Sequence, residues 1–342
     1  MTMARIINPR TAIKFFGVED FTISKATPST DKYLYIDRDI RKDFDDEPNE
    51  AELVIYNLAE STRKRISDFA NQSAPVEIFL TPSGVDELVR AFKGEIDWAG
   101  HRSQRPGYET RIACTSQKEQ HRARYINQKT FAAGTPASDI ITFLINEIGM
   151  PSETPVLPSI PILRAESFTG PAFPLLRRYV QYMGLHCFIT DGVLRIASVH
   201  APQNPMVYPL AKRLMLEDPE ETTRIDLEDV ELKINSEFSK KDPKAKRRRK
   251  RKTKKSKIVG KSDYVEYEAM DKTIHGVDIE MLCQPDRQPD DVVNLPEYPA
   301  LASRLFRIRD VHHYGDNHAV FGTSAFGCDE YEGSLADLVL GI

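Results

Sequence analysis

The stretch Glu52-Leu53-Val54-Ile55-Tyr56-Asn57-Leu58-Ala59-Glu60-Ser61-Thr62 predicts a strand that runs directly into a helix. Side chains alternate across a strand, so Leu53 and Ile55 face one side and their neighbours face the other. Asn57 is a favourable N-cap, and Glu60, three residues later, completes a capping-box pattern. Apolar residues at helical spacing follow, and then a second apolar strand begins. Strand, helix and strand in succession form a scaffold and contain no catalytic motif.

The composition is that of a soluble protein with a sizeable core. The chain has 342 residues, of which 40% are hydrophobic and 29% charged, and this length predicts two or three domains. No run approaches the roughly 20 apolar residues that span a bilayer, and the start, Met1-Thr2-Met3-Ala4-Arg5, lacks the apolar core of a signal peptide. We expect buried free thiols in a reducing compartment, because the cysteines lie far apart without metal-ligand spacing. They are Cys114, Cys187, Cys283 and Cys328.

The net charge of −4 conceals a strong asymmetry. Residues 240–261 contain ten lysines, four arginines and one aspartate, which leaves 33 basic and 50 acidic residues, or −17, in the rest of the chain. An acidic protein with one basic insert does not attract nucleic acid through its general field.

Residues 1–118 are predicted to form a first β-rich unit. The candidate strands, separated by turn signals, are residues 12–16, 34–40, 53–56, 76–80, 88–98 and 108–114. Several short strands with one helix favour a closed or nearly closed barrel, with the helix against one side. Trp98, the only tryptophan, ends one of these strands, and we expect it to anchor the core or its rim.

Residues 119–204 are predicted to form a small α/β module, because the hydrophobic period changes there. Thr135 is the predicted N-cap of a helix with Pro136 at its first position, and Gly149 is its predicted stop. A second helix is predicted over residues 171–183. A hairpin follows, turned by Asp191-Gly192, a favoured type I′ pair.

Residues 205–342 return to strand patterns and carry the basic insert. Val277, Ile279, Met281 and Cys283 alternate with polar residues, and residues 306–311 and 318–325 continue the strand pattern. The predicted fold class is therefore α+β and β-rich, with two β-barrel domains flanking the small α/β module.

Four segments, taken in order, resemble the hub proteins of phage tails. Pro48-Asn49-Glu50-Ala51-Glu52-Leu53-Val54-Ile55-Tyr56-Asn57-Leu58 is similar to the first domain of the tail-hub, or baseplate-hub, family, which includes the late-control D-like hubs of contractile tails. Phe92-Lys93-Gly94-Glu95-Ile96 resembles the strand that leads into the second sheet of that family. Two later segments resemble the second barrel of that family: Gly276-Val277-Asp278-Ile279-Glu280-Met281-Leu282-Cys283-Gln284-Pro285 and Phe306-Arg307-Ile308-Arg309-Asp310-Val311-His312-His313-Tyr314-Gly315-Asp316. The joint order covers nearly the whole chain, and the basic insert departs from it.

The resemblance implies a structural function at the tip of a phage tail. Hubs of this family are homotrimers in which each subunit contributes two tail-tube-like barrels, so that three chains form a pseudo-hexameric ring. The ring joins the six-fold tail tube protein to the three-fold spike protein, and its lumen passes the tape-measure protein and then DNA. For this chain the resemblance implies a virion protein assembled in the host cytoplasm, with no catalytic residues, cofactor or metal. We expect an acidic lumen wall to let DNA slide without sticking.

The sequence contains only weak signals for a metal site or a catalytic site. His312 and His313 lie near Asp310 and Asp316, but neighbours on a strand face opposite sides, which favours structural or surface roles over a metal site. Gly322-Thr323-Ser324-Ala325-Phe326-Gly327 departs from a nucleophile elbow because its second glycine is one residue late. Carboxylates are plentiful, so the alternative function is a tail-associated peptidoglycan hydrolase.

The strongest local signal is the basic run inside residues 240–261. It lacks aromatic residues that stack on bases, so its chemistry suits phosphates or carboxylates. Three interpretations remain open: an acidic surface on a neighbouring hub subunit or the tape measure, DNA in the lumen, and a solvated charged loop. If it binds nucleic acid as a free protein, DNA binding by the isolated chain would depend on salt. The candidate contact residues are Lys244, Lys246, Arg247, Arg248, Arg249, Lys250, Arg251, Lys252, Lys254 and Lys255.

Overall fold

The computed structural model is a β-rich α+β protein with three α-helices among its described residues. It divides into two units, one of residues 1–220 with 277–342 and one of residues 221–276. The described residues are 10–17, 20–24, 34–44, 49–82, 87–104, 107–116, 124–154, 157, 160–181, 185–198, 206–235, 264–316 and 321–328.

The first β-rich region confirms the predicted strand–helix–strand succession and adds one short strand. Its elements are β1 Thr11–Phe15, β2 Phe21–Ser24, β3 Ile36–Asp43, β4 Glu50–Tyr56, α1 Glu60–Asn71, β5 Pro75–Leu80, β6 Val89–Gln104 and β7 Gly107–Thr115. Leu53 and Ile55 are buried, and Ile66 and Phe69 of α1 close the same core. Alternation along the strands and helical spacing along α1 therefore bury one continuous apolar surface.

The predicted capping box of α1 is wrong. The helix begins at Glu60, after Ala59, and its N-cap position has no side-chain hydrogen bond. Asn57 instead adopts a left-handed conformation with φ of 59°, and its backbone N–H donates to the carbonyl of Tyr108 at 2.8 Å. A contact with a distant strand thus fixes the turn that the local pattern assigned to the helix.

The α/β region contains two helices packed on short strands. Its elements are β8 Tyr125–Phe131, α2 Ala137–Ile148, β9 Ser152–Glu153, β10 Glu166–Pro171, α3 Ala172–Gln181, β11 Leu185–Thr190 and β12 Val193–Ser198. Gly149 ends α2 in the left-handed conformation, as predicted. Thr135 is not the cap, because its hydroxyl donates to the carbonyl of Ala132 at 2.8 Å and the helix begins two residues later. Asp191 and Gly192 have φ of 50° and 78°, which confirms the type I′ turn between β11 and β12.

The last region contributes the remaining strands. They are β13 Val207–Pro209, β14 Glu220–Asn235, β15 Tyr264–Leu282, β16 Val292–Asn294, β17 Leu305–Asp316 and β18 Phe321–Cys328, with a 3-10 turn at Lys212–Leu214. Val277, Ile279, Met281 and Cys283 are all buried, which confirms their predicted alternation. The second unit, residues 221–276, contains β14 and the part of β15 up to Gly276.

The two β-rich regions share one sheet. Within the first unit the hydrogen-bonded order is β15-β18-β17-β3-β4-β7-β6-β5-β1-β2. β17 and β3 are antiparallel neighbours, with Asp310 opposite Asp43 at one end and Asp316 opposite Asp37 at the other. Two separate barrels are not confirmed: among the described strands the order is an open path, because β3 and β17 pair with each other instead of closing their own regions.

Trp98, which we predicted to anchor the core or its rim, does not lie in the core. The pairing of β6 with β7 shifts register between Ile96 and Trp98, so Asp97 is an extra residue. The bulge places the indole on the outer side of the sheet, where Trp98 is 53% exposed.

Candidate functional site

None of the predicted basic contact residues can be placed, because the run from Lys244 to Lys255 lies outside the described residues. Two other clusters of charge lie within the first unit of the structure. One covers the outer face of the shared sheet, and the other is buried where three regions of the chain meet.

The outer face of β17, β3, β4 and β7 is rich in carboxylates. On β3 the alternation places Asp37, Asp39 and Arg41 outward, and on β4 it places Glu50 and Glu52 outward. The same face continues onto β7 and β17 through the pairing register. We call this surface, together with Glu280 of β15, the acidic face; its charged residues, of which Glu109 is buried, are Asp37, Asp39, Arg41, Asp43, Glu50, Glu52, Glu109, Arg111, Glu280, Asp310 and Asp316.

The register sets like charges directly opposite each other. Asp37 is paired with Asp316, Asp39 with Glu52, and Asp43 with Asp310. Side chains opposite each other on neighbouring strands are about 5 Å apart at Cβ, and like charges there are destabilising. The same register also sets Arg41 opposite Glu50, so the face carries both like-charge and opposite-charge pairs.

Several groups on the acidic face partly offset the repulsion. Arg41 donates two hydrogen bonds to Asp39, at 2.9 and 3.0 Å, and His312 Nε2 lies 3.1 Å from the same carboxylate. Arg111 donates to Glu109 and lies 3.8 Å from Glu52.

Two tyrosine hydroxyls also donate to carboxylates of the acidic face. Tyr35 donates to Asp316 at 2.5 Å, and this hydrogen bond raises the pKa of Tyr35 to about 12. Tyr314 donates to Glu280 at 2.6 Å. Both phenols therefore stay protonated at neutral pH and remain donors.

The buried cluster centres on a lysine. Lys42 follows Arg41 on β3 but faces inward, and its side chain is 0% exposed. Its Nζ lies 3.2 Å from both carboxylate oxygens of Asp191 and donates to Oε1 of Gln288 at 2.9 Å. Burial lowers the pKa of Lys42, an effect that the charge of Asp191 opposes. Lys42 thus ties β3 to the turn of the α/β region and to the loop after β15.

Further hydrogen bonds hold the same regions together. The amide of Asn49 donates to the carbonyl of Ile189 and to Thr190 Oγ1, both at 3.2 Å, while its oxygen accepts from the backbone of Asp43 at 3.1 Å. The backbone N–H of Lys93 donates to Asp191 at 3.1 Å. Buried polar groups with this many partners fix the relative placement of the segments that carry them.

A second buried ion pair adjoins the lysine cluster. Arg307 donates through Nε to Asp290 at 2.7 Å, and both side chains are about 5% exposed or less. The guanidinium also lies 4.4 Å from the ring centre of Phe44, which packs on Phe188 of β11 at 4.7 Å. We call these two ion pairs with Gln288 the buried junction; its residues are Lys42, Asp191, Gln288, Asp290 and Arg307.

Next to the buried junction lies Asp291, a buried carboxyl. Burial raises its pKa to about 6, although a hydrogen bond from the backbone of Gln288 and the charge of Arg287 act in the opposite direction. A buried carboxyl with a raised pKa therefore lies beside the junction.

No protein-family model and no curated protein sequence matches this chain. Solved structures do. A tail protein from Neisseria meningitidis MC58 is 13% identical, with a TM-score of 0.56 over 94% of this chain and 97% of that chain. The fold is that of phage tail proteins.

Two more solved structures have this tail-protein fold. The 43 kDa tail protein of prophage MuSo2 from Shewanella oneidensis is 11% identical, with a TM-score of 0.52 over 93% of this chain and 97% of that chain. A component of the E. coli type VI secretion system, described as structurally similar to the T4 tail proteins gp27 and gp5, is 8% identical, with a TM-score of 0.51 over 90% of this chain and 78% of that chain. At such low identity the likeness concerns the fold.

The other sequence candidates occupy structural positions in this tail-protein fold. His313 is buried and shares a hydrogen bond with Thr323 at 2.9 Å, while His312 lies on the acidic face, so the two rings are on opposite sides of β17. Burial and the nearby charges of Lys42 and Arg38 lower the pKa of His313 well below its usual value. Among the described residues no group of three or more His, Cys, Asp or Glu side chains is placed to hold a metal ion.

The cysteines and helices add no further site. All four cysteines are buried free thiols, as predicted. Burial raises the pKa of Cys114 and of Cys187 to about 12, so both stay protonated. No described helix is long and apolar enough to cross a bilayer.

Sequence reasoning missed both charged clusters, although one signal was present. Ile36 and Ile40 alternate inward on β3, and continuing that alternation places Arg38 and Lys42 inward as well. An inward lysine requires a buried partner. The partners could not be found locally, because Asp191 is 149 residues and Gln288 is 246 residues from Lys42.

Proposed function

We propose that this protein is the structural hub of a phage tail tip or baseplate. Three copies form a ring that adapts the six-fold tail tube to the three-fold spike, and the ring passes the tape-measure protein and then DNA. The observation that carries the proposal is the likeness of fold to phage tail proteins, which extends over more than nine-tenths of this chain. The tail-hub resemblance of the sequence motifs points to the same position in the virion.

The internal organisation of the chain supports an adaptor. Two β-rich regions from opposite ends of the sequence meet along β3 and β17, so each copy offers two sheet segments to a ring. Three such copies supply six sheet segments, which match the six-fold symmetry of the tail tube. The three chains themselves match the three-fold symmetry of the spike. The buried junction fixes these regions relative to one another, and a ring subunit needs such a fixed arrangement to contact its neighbours.

The acidic face is the surface that suits the lumen. A wall of carboxylates repels the phosphates of DNA, so DNA can pass without being trapped. The wall is also a continuous sheet, whose backbone groups are paired along its length. An assembly structure in which the lumen is lined by another surface, or is net basic outside residues 240–261, would overturn this assignment.

The mass of the purified chain tests the hub directly. Light scattering after size exclusion should give three times 38.9 kDa, alone or with the spike protein added. A chain that stays monomeric under both conditions would contradict the proposal. A ring seen by electron microscopy with six-fold features on one side and three-fold features on the other would support it.

The hub is proposed to act through surfaces and not as an enzyme. Zymography on cell-wall substrate separates it from a tail-associated peptidoglycan hydrolase. We expect no clearing by the purified chain. Clearing that survives repurification and is lost on substitution of a carboxylate pair would favour the hydrolase.

A further inference from the structure

We propose that Lys42 and Asp191 become joined by an isopeptide bond, in which Nζ of the lysine is linked to Cγ of the aspartate. The ion pair of the buried junction is the state before this bond forms, and the reaction releases one molecule of water. The inference goes beyond the proposed hub, because it needs one folded copy and neither a ring nor a partner.

The two side chains are already in contact at the groups that would react. Nζ of Lys42 lies 3.2 Å from each carboxylate oxygen of Asp191, so the nitrogen is equally close to both oxygens of the carboxyl group that it attacks. Reactions between bound groups become fast when the reacting atoms are held about 3–3.5 Å apart. The bond would join positions that are 149 residues apart in the chain and that folding brings together.

Burial favours the nucleophilic form of the lysine. The Lys42 side chain is 0% exposed and that of Asp191 is 14% exposed. Desolvation lowers the pKa of Lys42, and the charges of Arg90 and Arg195 act in the same direction, whereas Asp191 opposes them. A desolvated lysine is more often a neutral amine, which is the form that attacks a carbonyl carbon.

Gln288 and Lys93 position the two reacting groups. Oε1 of Gln288 accepts hydrogen bonds from Nζ of Lys42 at 2.9 Å and from Thr190 at 3.3 Å, which fixes the nitrogen beside the turn. The backbone N–H of Lys93 donates to Oδ1 of Asp191 at 3.1 Å. A donor at this oxygen stabilises the negative charge that develops there when the nitrogen attacks.

The ion pair supplies every atom that the reaction needs. One proton passes from the ammonium group to Oδ2, which gives a neutral amine and a carboxylic acid. Nζ then attacks Cγ, the bond between Cγ and Oδ2 breaks, and this oxygen leaves as water with a second proton from the nitrogen. The product is a neutral amide that can keep the hydrogen bonds to Gln288 and from Lys93, and it replaces two buried charges that are costly to desolvate.

An exposed pair of the same type provides an internal control. Nζ of Lys212 lies 3.7 Å from Oδ1 of Asp218, and the two side chains are 59% and 78% exposed. Water hydrates both of these charged groups, so their contact is weak and their geometry is not fixed. We expect no bond between Lys212 and Asp218, and equal yields of the two links would overturn the assigned role of burial.

The intact mass of the full chain tests the bond directly. The purified chain is incubated at neutral pH and sampled over several days by mass spectrometry. We expect a mass that is one water molecule below that of the sequence, either at purification or after a first-order loss whose rate is independent of protein concentration. A chain that keeps its full mass would overturn the inference. Lys42→Arg keeps the positive charge but lacks the amine, so it should lose no water.

Peptide mapping identifies the atoms that are joined. Trypsin does not cleave after an acylated lysine, so the bond should yield a branched peptide of residues 42–63 and 179–195. Cyclisation of Asp191 onto the backbone of Gly192 also releases water, but it gives a linear peptide. A dehydrated linear peptide without the branched one, or a loss of water that persists in Lys42→Arg, would overturn the inference.

Gln288→Leu tests the positioning of the nitrogen. Leucine fills a similar space but accepts no hydrogen bond, so bond formation should slow by about tenfold to a hundredfold. Gln288→Glu keeps an acceptor and should form the bond at least as fast as the parent chain. An unchanged rate in Gln288→Leu would overturn the assigned geometry, and circular dichroism shows whether each variant is folded. The oligomeric mass is measured separately, so failure of the bond would leave the hub intact.

Discussion

Arg41 and Lys42 are neighbours on one strand, yet they belong to opposite electrostatic settings. The Arg41 side chain is 69% exposed and pairs with Asp39 on the acidic face. The Lys42 side chain is 0% exposed and pairs with Asp191 in the buried junction. Exposed pairs contribute about 0.2–1 kcal/mol, whereas removing one partner of a buried pair costs about 3–5 kcal/mol. The buried junction therefore contributes more to the stability of the fold than the exposed pairs of the acidic face do.

The largest effect is expected at the most deeply buried pair. Asp290→Asn removes the charge that faces Arg307, and it suits the position because Asp290 has φ of 79°, which asparagine tolerates. Loss of this buried ion pair should lower the free energy of unfolding by about 3–5 kcal/mol, measured by urea denaturation. Asp286→Asn, which removes a half-exposed partner of Arg287, is the control and should cost less than about 1 kcal/mol. Equal losses of unfolding free energy in the two variants would contradict the proposed difference between buried and exposed ion pairs.

Lys42→Met should have the next largest effect. Methionine fills the space of the lysine stem but leaves Asp191 without its cation, and Asp191 keeps 14% exposure and the hydrogen bond from Lys93. We therefore expect a loss of about 2–3 kcal/mol, below the range for a fully buried partner. Adding Asp191→Asn should restore part of the loss, because Asn-Gly also favours the type I′ turn. Strict additivity in this double-mutant cycle would show that the two side chains are not coupled.

Asp291→Asn tests the surroundings of the buried junction through pH. The folded-state pKa of about 6 lies above the ordinary 3.8, so protonation of Asp291 favours the folded state. That contribution is complete below about pH 4 and is lost as pH rises through about 6. At pH 8 the asparagine variant should be more stable than the parent by about 1–3 kcal/mol, and the difference should vanish near pH 4. A difference that does not change with pH would contradict the burial of this carboxyl.

Local patterns predicted the elements but not the charged clusters. Strict alternation identified β3, β4, β5 and β7, and Asp191-Gly192 identified the turn between β11 and β12, because these signals depend only on neighbouring residues. The predicted cap at Asn57 was wrong since a hydrogen bond to Tyr108, in another strand, fixes that residue. The outward position of Trp98 follows from a bulge that alternation cannot reveal.

The site residues required the tertiary structure. Overall acidity was visible in composition, but its concentration on one face follows from the pairing of β3 with both β4 and β17. The pairing partner of β3 on one side is separated from it by more than 250 residues of chain. No spacing rule connects Asp37 to Asp316, so the like-charge pairs could not be predicted.

The smallest effect is expected on the acidic face, and its dependence on salt is more informative than its size. Arg41→Gln should lower the free energy of unfolding by less than about 1 kcal/mol at low salt, because the lost pair with Asp39 is exposed. Removal of the arginine also leaves the repulsion between Asp39 and Glu52 less offset, so the loss should fall toward zero at about 1 M salt, where screening acts within about 3 Å. Lys64→Gln, an exposed cation of α1, provides the control and should show little salt dependence. A large loss of unfolding free energy in Arg41→Gln that persists in 1 M salt would mean that Arg41 stabilises the fold as Lys42 does. The proposed difference between the acidic face and the buried junction would then be wrong.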